Sequence, residues 1–195
     1  MSPDSKRGPR SDAARNTTAL LAAARELVEE AGSEITLDQV ARRAGVGNAT
    51  LYRHFPTRED LLAAVYADEV AELCRRGARL RDAPSPLDAL FTWLDEFVVH
   101  VATKRPLALA ATEGPGGRRG QRFEAWHASI TATAADLVRR ARPALRPDVT
   151  VTDVLTLASG AALAADTAQA RRLVGFLRAG LAAPTTGTED HERTG

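Results

Sequence analysis

The chain has 195 residues, 44% of them hydrophobic, with 26 Lys and Arg against 25 Asp and Glu and a formal net charge of +1. That length suits one domain or two small ones, with enough apolar residues for a buried core. No apolar run reaches the ~18 residues of a membrane span, no charged-then-apolar signal peptide opens the chain, and the lone Cys74 excludes an internal disulfide framework. The expectation is a soluble cytoplasmic protein with no membrane association.

Charge is unevenly spread. From Met1 to Arg25 the cations are Lys6, Arg7, Arg10, Arg15 and Arg25, and the only acids are Asp4 and Asp12. Residues 1–11, with prolines at 3 and 9, read as a disordered basic arm. The first helix is predicted from Asp12 to Ala31, with Leu20, Leu21, Ala24, Leu27, Val28 and Ala31 on one stripe and Gly32 ending it.

Thr36 to Leu62, TLDQVARRAGVGNATLYRHFPTREDLL, is the most informative stretch. Thr36 followed three residues later by Gln39 is a capping box. Leu37, Val40, Ala41 and Ala44 repeat at helical spacing, and Gly45 is suited to stop that helix. A second helix is expected over Asn48 to His54, with Leu51 and Phe55 facing inward. Pro56 breaks it, and Thr57 caps a long helix over Arg58 to Arg81. Two short helices around a glycine-bearing turn are the plan of a helix-turn-helix, whose second helix enters the DNA major groove.

The residue identities sharpen this reading. VARRAGVGNATLYRHFPTREDLL resembles the DNA-binding segment of TetR-family transcription regulators, usually A-x-x-A-G-V-S-x-x-x-[IL]-Y-x-[HY]-F-x-[ST]-[KR]-E-x-L. Ala41, Ala44, Gly45, Val46, Leu51, Tyr52, His54, Phe55, Thr57, Arg58, Glu59 and Leu61 match. Gly47 stands where the family usually has a capping serine, and Asn48 where a lysine is frequent. Recognition helices read bases mainly from their N-terminal part. That assigns Gly47, Asn48, Ala49 and Thr50 to the groove: Asn48 can pair with adenine, and Ala49 or the Thr50 methyl can meet a thymine methyl. Arg43 can reach a guanine or a phosphate. The resemblance implies phosphate contacts from Thr36, Tyr52, His54 and Arg58.

The remainder reads as all helix. Leu87 to Lys104 is one amphipathic segment, interrupted at Pro106, with a short helical piece over Leu107 to Thr112. Gly114 to Gly120 is expected to be a loop, Gln121 to Arg142 a helix, and Thr152 to Asp166 and Thr167 to Leu181 the last two helices. A disordered tail from Pro184 is expected to follow. The fold class is therefore all-α, with an N-terminal helix-turn-helix domain (12–57) and a helical effector-binding and dimerisation domain (58–182) opened by a linking helix.

Phe91, Trp93, Phe97 and His100 on one segment and Phe123, Trp126, His127 and Ile130 on another are candidates for a small-molecule cavity, since aromatics with a few polar groups suit one. Val154, Leu155, Ala158 and Ala162, with Leu173, Phe176, Leu177 and Leu181, are candidates for a four-helix dimer interface, because small side chains allow close helix approach. TetR-family proteins usually dimerise and bind effectors in this way. Asp148 to Leu181 also resembles the C-terminal domain of the SbtR-like subgroup.

Enzyme readings find little support. There is no phosphate loop of the GxxxxGK[ST] kind, and the four histidines are scattered. Catalytic residues, metal and cofactor are all expected to be absent. Cys74 reads as a small helix residue. The expected function is a dimeric repressor, bound to a palindromic double-stranded DNA operator and released by a small-molecule effector. The alternative is a helical protein-interaction module, or a regulator without a ligand. A pure interaction module leaves the Thr36–Leu62 match unexplained.

Overall fold

The computed structural model describes residues 9–111 and 118–184. Among them are eight α-helices: α1 (Pro9–Ala31), α2 (Leu37–Ala44), α3 (Asn48–His54), α4 (Arg58–Leu80), α5 (Pro86–Ala111), α6 (Arg118–Ala141), α7 (Val151–Ala161) and α8 (Thr167–Leu181), with a 3-10 turn over Arg142–Ala144. The one extended pairing among the described residues is an isolated bridge between Leu145 and Ala182. No helix of these residues is long and apolar enough to cross a membrane.

The helices divide into two compact units. Of the described residues, the first holds those up to Cys74 and those between Thr103 and Ile130; the second holds Arg75–Ala102 and those from Thr131 on. The units are therefore not separated by a single cut in the chain.

Local chemistry sets the boundaries in the first unit. Thr36 caps α2 through a complete capping box: its hydroxyl accepts from the Gln39 N–H (3.2 Å), and the Gln39 side chain accepts from the Thr36 N–H (2.8 Å). At the other end Gly45 takes φ +65°, which lets the Val46 N–H return to the Ala41 carbonyl (3.0 Å). Gly32, at φ +76°, plays the matching part after α1. Thr57 caps α4 by accepting from the Asp60 N–H (3.1 Å). Leu20, Ala24, Ile35, Val40, Leu51 and Leu61 are almost completely buried.

Four expectations are corrected. α1 starts at Pro9, not Asp12; proline's missing N–H costs nothing at the first helical position. The rest of the predicted arm, residues 1–8, lies outside the described residues, as do Thr112 of the predicted helical piece, 114–117 of the predicted loop and 185–195 of the predicted tail; residues 118–120 of that loop are helical instead and open α6. Pro106 does not interrupt its helix; α5 runs through it to Ala111. One lost backbone hydrogen bond is outweighed there by Leu107, Ala110 and Ala111, all buried just beyond it. α7 stops at Ala161 rather than Asp166, because the chain tightens into turns (Leu163 N–H to Gly160, 3.1 Å) and Asp166 serves instead as the cap of α8, accepting from the Gln169 N–H (2.7 Å).

In the second unit Thr150 and Asp153 form a further capping box on α7. Trp93 is fully buried and stacks on Phe97, ring centroids 5.5 Å apart. Gly77 on α4 lies so close to α6 and α5 that a Cβ there would stand 2.4 Å from Thr133 Cγ2 and 3.0 Å from Trp93 Nε1.

Candidate nucleic-acid interface

α2, the Gly45 turn and α3 form a helix-turn-helix. α3 is only seven residues long, too short to persist alone. Leu51, fully buried, and Phe55, 7% exposed, anchor it to the rest of the unit. That anchoring leaves Gly47, Asn48, Ala49 and Tyr52 exposed and Thr50 half-buried. Gly47 occupies the cap position in extended conformation without a side-chain cap, and its carbonyl accepts from the Thr50 N–H (2.9 Å) and Leu51 N–H (3.1 Å).

The predicted contact residues differ in how freely they can act. Asn48 donates from Nδ2 to Asp38 on α2 (3.0 Å). Thr50 accepts from Arg53 (3.0 Å), whose guanidinium also reaches back to the Ala49 carbonyl (3.2 Å). Tyr52 is 48% exposed, a large aromatic that folding alone does not use fully. His54 is half-buried, with Nδ1 3.1 Å from the Thr17 hydroxyl on α1.

Thr36, Arg43 and Arg58 already have structural work. Thr36 is exposed, but its hydroxyl is held in the α2 capping box. Arg43 turns to α1, forking onto Glu30 (2.9 and 2.8 Å) and reaching Glu26 (3.3 Å). The Arg43 hydrogen bond holds the Glu30 carboxyl below the usual carboxylate range and raises the guanidinium's own pKa. Arg58 donates to the carbonyls of Ile35 (3.0 Å) and Ser33, which fastens the α1–α2 loop to the start of α4. Arg53 on α3 and Arg42 in the last turn of α2 are exposed cations beyond those expected from the sequence. Their positions in a helix-turn-helix were the available signal.

The eight cavity candidates fall into different units. Phe91, Trp93, Phe97 and His100 are buried in the second unit. In the first, Trp126 packs edge-on against Tyr66 (4.6 Å) and Ile130 is buried, whereas Phe123 is 51% exposed and sits beside His127, also exposed, with centroids 4.1 Å apart. A cleft of about 540 Å³ in the second unit is lined by Arg146, Asp148, Val149, Asp153, Thr156, Leu157, Gly180 and Leu181, and by none of the eight.

The dimer candidates need correction. Val154, Ala158 and Ala162 are at most 5% exposed in the isolated chain, so their small-residue face packs within it and is not available to a partner. Leu155, Leu173, Leu177 and Leu181 are half-buried. The outward large apolar residues of α7 and α8 are Phe176, 66% exposed, and Leu157, which was not among the expected interface residues. Nearby, Arg178 pairs with Asp88 and lies 5.7 Å over the Phe91 ring, tying α8 to α5.

Comparison with known proteins agrees with this architecture. Residues 20–65 match the family model described as bacterial regulatory proteins, tetR family, and residues 85–183 match that of the SbtR-like transcriptional regulator C-terminal domain. A TetR transcription regulatory protein from Mycobacterium vanbaalenii is 31% identical over 90% of this chain and 100% of its own, with a TM-score of 0.70. The TetR transcriptional regulator SCO0520 from Streptomyces coelicolor is 35% identical over 87% of this chain and 99% of its own, with a TM-score of 0.65. At 15% identity, the regulator FadR from Bacillus subtilis, solved in complex with stearoyl-CoA, shares the fold (84% of this chain, 98% of its own, TM-score 0.60).

Proposed function

The chain belongs to the TetR family of bacterial DNA-binding transcriptional regulators, and from that premise we propose that it is a homodimeric repressor released from a palindromic operator by a small-molecule effector. The observation that carries the DNA-reading part is the division of α3: Leu51 and Phe55 are buried while Asn48, Ala49 and Tyr52 face outward. Asn48, Ala49 and Thr50 read bases; Tyr52, His54 and the backbone around Gly47 and Thr36 meet phosphates. Phosphate contacts fix register, and base contacts fix sequence. Arg43 and Arg58 join only by giving up their present partners.

The functional division is 12–57 for DNA and 58–182 for effector binding and dimerisation, and the protein acts in the cytoplasm. Phe176 and Leu157 supply exposed apolar surface for a second copy. The aromatic set around Trp93, Phe97 and His100 is the starting point for an effector site, and the relative bound to stearoyl-CoA supports a ligand in this fold. Effector binding tilts α4 and changes the separation of two recognition helices. Half-sites about one helical turn apart, ~34 Å, tolerate little change in that separation. A ligand shifts this balance only through its different affinities for the two states.

Fluorescence anisotropy on DNA from upstream of the protein's own gene, with a scrambled duplex as control at near-physiological salt, tests the reading. Specific binding at two chains per site is expected. Equal, weak binding to both duplexes, lost as salt rises, argues against a specific operator there.

A further inference from the structure

The first turn of α4 joins three parts of the first unit. Thr57 follows the buried Phe55 by two residues, and its hydroxyl accepts from the Asp60 N–H (3.1 Å) and donates to Asp60 Oδ2 (2.9 Å). Arg58 holds the α1–α2 loop through the Ser33 and Ile35 carbonyls. The other Asp60 oxygen, Oδ1, accepts from Arg122 Nη2, which arrives from α6. Only 28% of the Arg122 side chain and 22% of the Asp60 side chain are exposed, so water and salt screen this pair less than an open surface pair. The same carboxylate therefore accepts from the Thr57 hydroxyl that caps the helix following α3 and receives a cation from α6, 62 residues further along the chain.

We propose that Arg122 is a positioning residue for operator recognition. Acting through Asp60 and the Thr57 cap, it fixes the start of α4 and with it the attitude of α3. The proposal rests on the reading of α3 as the DNA-reading helix and names the residue through which α6 sets it. A second ionic joint, Lys104 between Glu69 (3.4 Å) and Glu29 (3.8 Å), holds α5 to α4 and α1. It engages α4 further along, at Glu69, and leaves the first turn to Arg122.

Charge alone predicts something different, which makes the test decisive. If Arg122 met phosphate directly, its loss would weaken all DNA binding, and loss of the Asp60 carboxylate would strengthen it by removing an anion. If Arg122 positions α3, both losses weaken operator binding and the effects do not add, since either one breaks the same pair.

The experiment uses the full-length protein and a duplex that the wild type selects from a random library. Affinity for this duplex and for a scrambled one is measured for the wild type, Arg122→Gln, Arg122→Lys, Asp60→Asn and the Gln/Asn double variant. Helix content and melting temperature are followed alongside. Asn at 60 keeps an oxygen for the Thr57 cap. Operator affinity is expected to fall about tenfold in each neutral single variant and no further in the double. Scrambled-duplex affinity should hold steady, and Arg122→Lys should recover most of the loss. Unchanged or tighter operator binding by Asp60→Asn, or losses that multiply in the double variant, would overturn the proposal. Affinity that falls only in proportion to a lost melting transition, with Arg122→Lys no better than Arg122→Gln, would overturn it as well. If the wild type itself selects no sequence, the DNA-reading assignment of α3 fails, and the proposal with it.

Discussion

Arg58 Nε donates to the carbonyl oxygen of Ile35 at 3.0 Å, so the residue that opens α4 also closes the loop between α1 and α2. Ile35 is 2% exposed, and the Arg58 side chain is three-quarters covered. A hydrogen bond from a charged donor to an inward carbonyl contributes about 1.5–3 kcal/mol. Arg58→Ala should lower unfolding free energy by that order in urea titration, and Arg58→Lys should recover little, because an ammonium cannot span two carbonyls as the planar fork does. Full stability in Arg58→Ala would restore the simpler assignment of Arg58 to DNA phosphate.

Asn48 and Asp38 make a second prediction. The 3.0 Å bond between them occupies the amide that base reading requires. Asn48→Ala should cost about 1–3 kcal/mol at one base pair per half-site and little at the others. Asp38→Ala should tighten binding to every duplex, since it frees Asn48 and removes an anion near the phosphates. Anisotropy over a panel of single-base operator variants separates the two patterns. Uniform losses for Asn48→Ala would refute its base-reading role.

At Gly77 the packing of three helices decides the sign of a substitution. In an open helix, Gly→Ala gains up to about 1 kcal/mol. Here the new methyl would stand 2.4 Å from Thr133 Cγ2 and 3.0 Å from the indole nitrogen of the fully buried Trp93. Gly77→Ala should therefore destabilise the protein by about 1–3 kcal/mol. Adding Thr133→Ser, which deletes the clashing methyl and keeps the hydroxyl, should return much of it. Thermal melts of the single and double variants check this, and a stabilised Gly77→Ala would mean that α4 can move aside freely.

Alkaline pH reports on Tyr66. Burial, with the nearby Glu69 carboxylate adding to it, pushes its phenol up from 10.0 to about 12. The folded state thus keeps the proton longer than the unfolded chain. The resulting stability is complete below pH 10 and is lost as pH rises from 10 towards 12, on the order of 2–3 kcal/mol in all. Tyr66→Phe should flatten the stability profile across that window and leave it unchanged at pH 7 to 9. An identical alkaline slope in both proteins would contradict the burial argument.

These cases show which features were legible in the sequence. The T-x-x-Q box at Thr36 and the stop at Gly45 were readable because caps and left-handed glycines are local devices that act within a few residues. Pro106 misled because its cost is local while the burial of Leu107 and Ala111 that offsets it is tertiary. The engagement of Arg43 by Glu30 and of Arg58 by Ile35 joins residues 13 and 23 positions apart, and no spacing rule pairs them. Val154, Ala158 and Ala162 show the same limit from another side. Helical period identifies a small-residue face, but not whether the helix covering it belongs to the same chain.

That last distinction yields the prediction for assembly. Phe176 is 66% exposed, so it contributes little to the folded single chain, whereas Val154 and Val174 are buried beneath the same pair of helices. If a second copy covers α7 and α8, Phe176 is an aromatic anchor of the kind that dominates interfaces, worth about 2 kcal/mol or more when truncated. Phe176→Glu should then yield a monomer with wild-type helix content and an unchanged single-chain fold. Operator affinity should fall steeply, because each chain would bind one half-site alone. Val174→Glu should instead unfold the protein, since it places a charge in the core. Sedimentation velocity at micromolar concentration distinguishes the outcomes. A Phe176→Glu protein that still sediments as a dimer would move the interface away from the exposed face of α8.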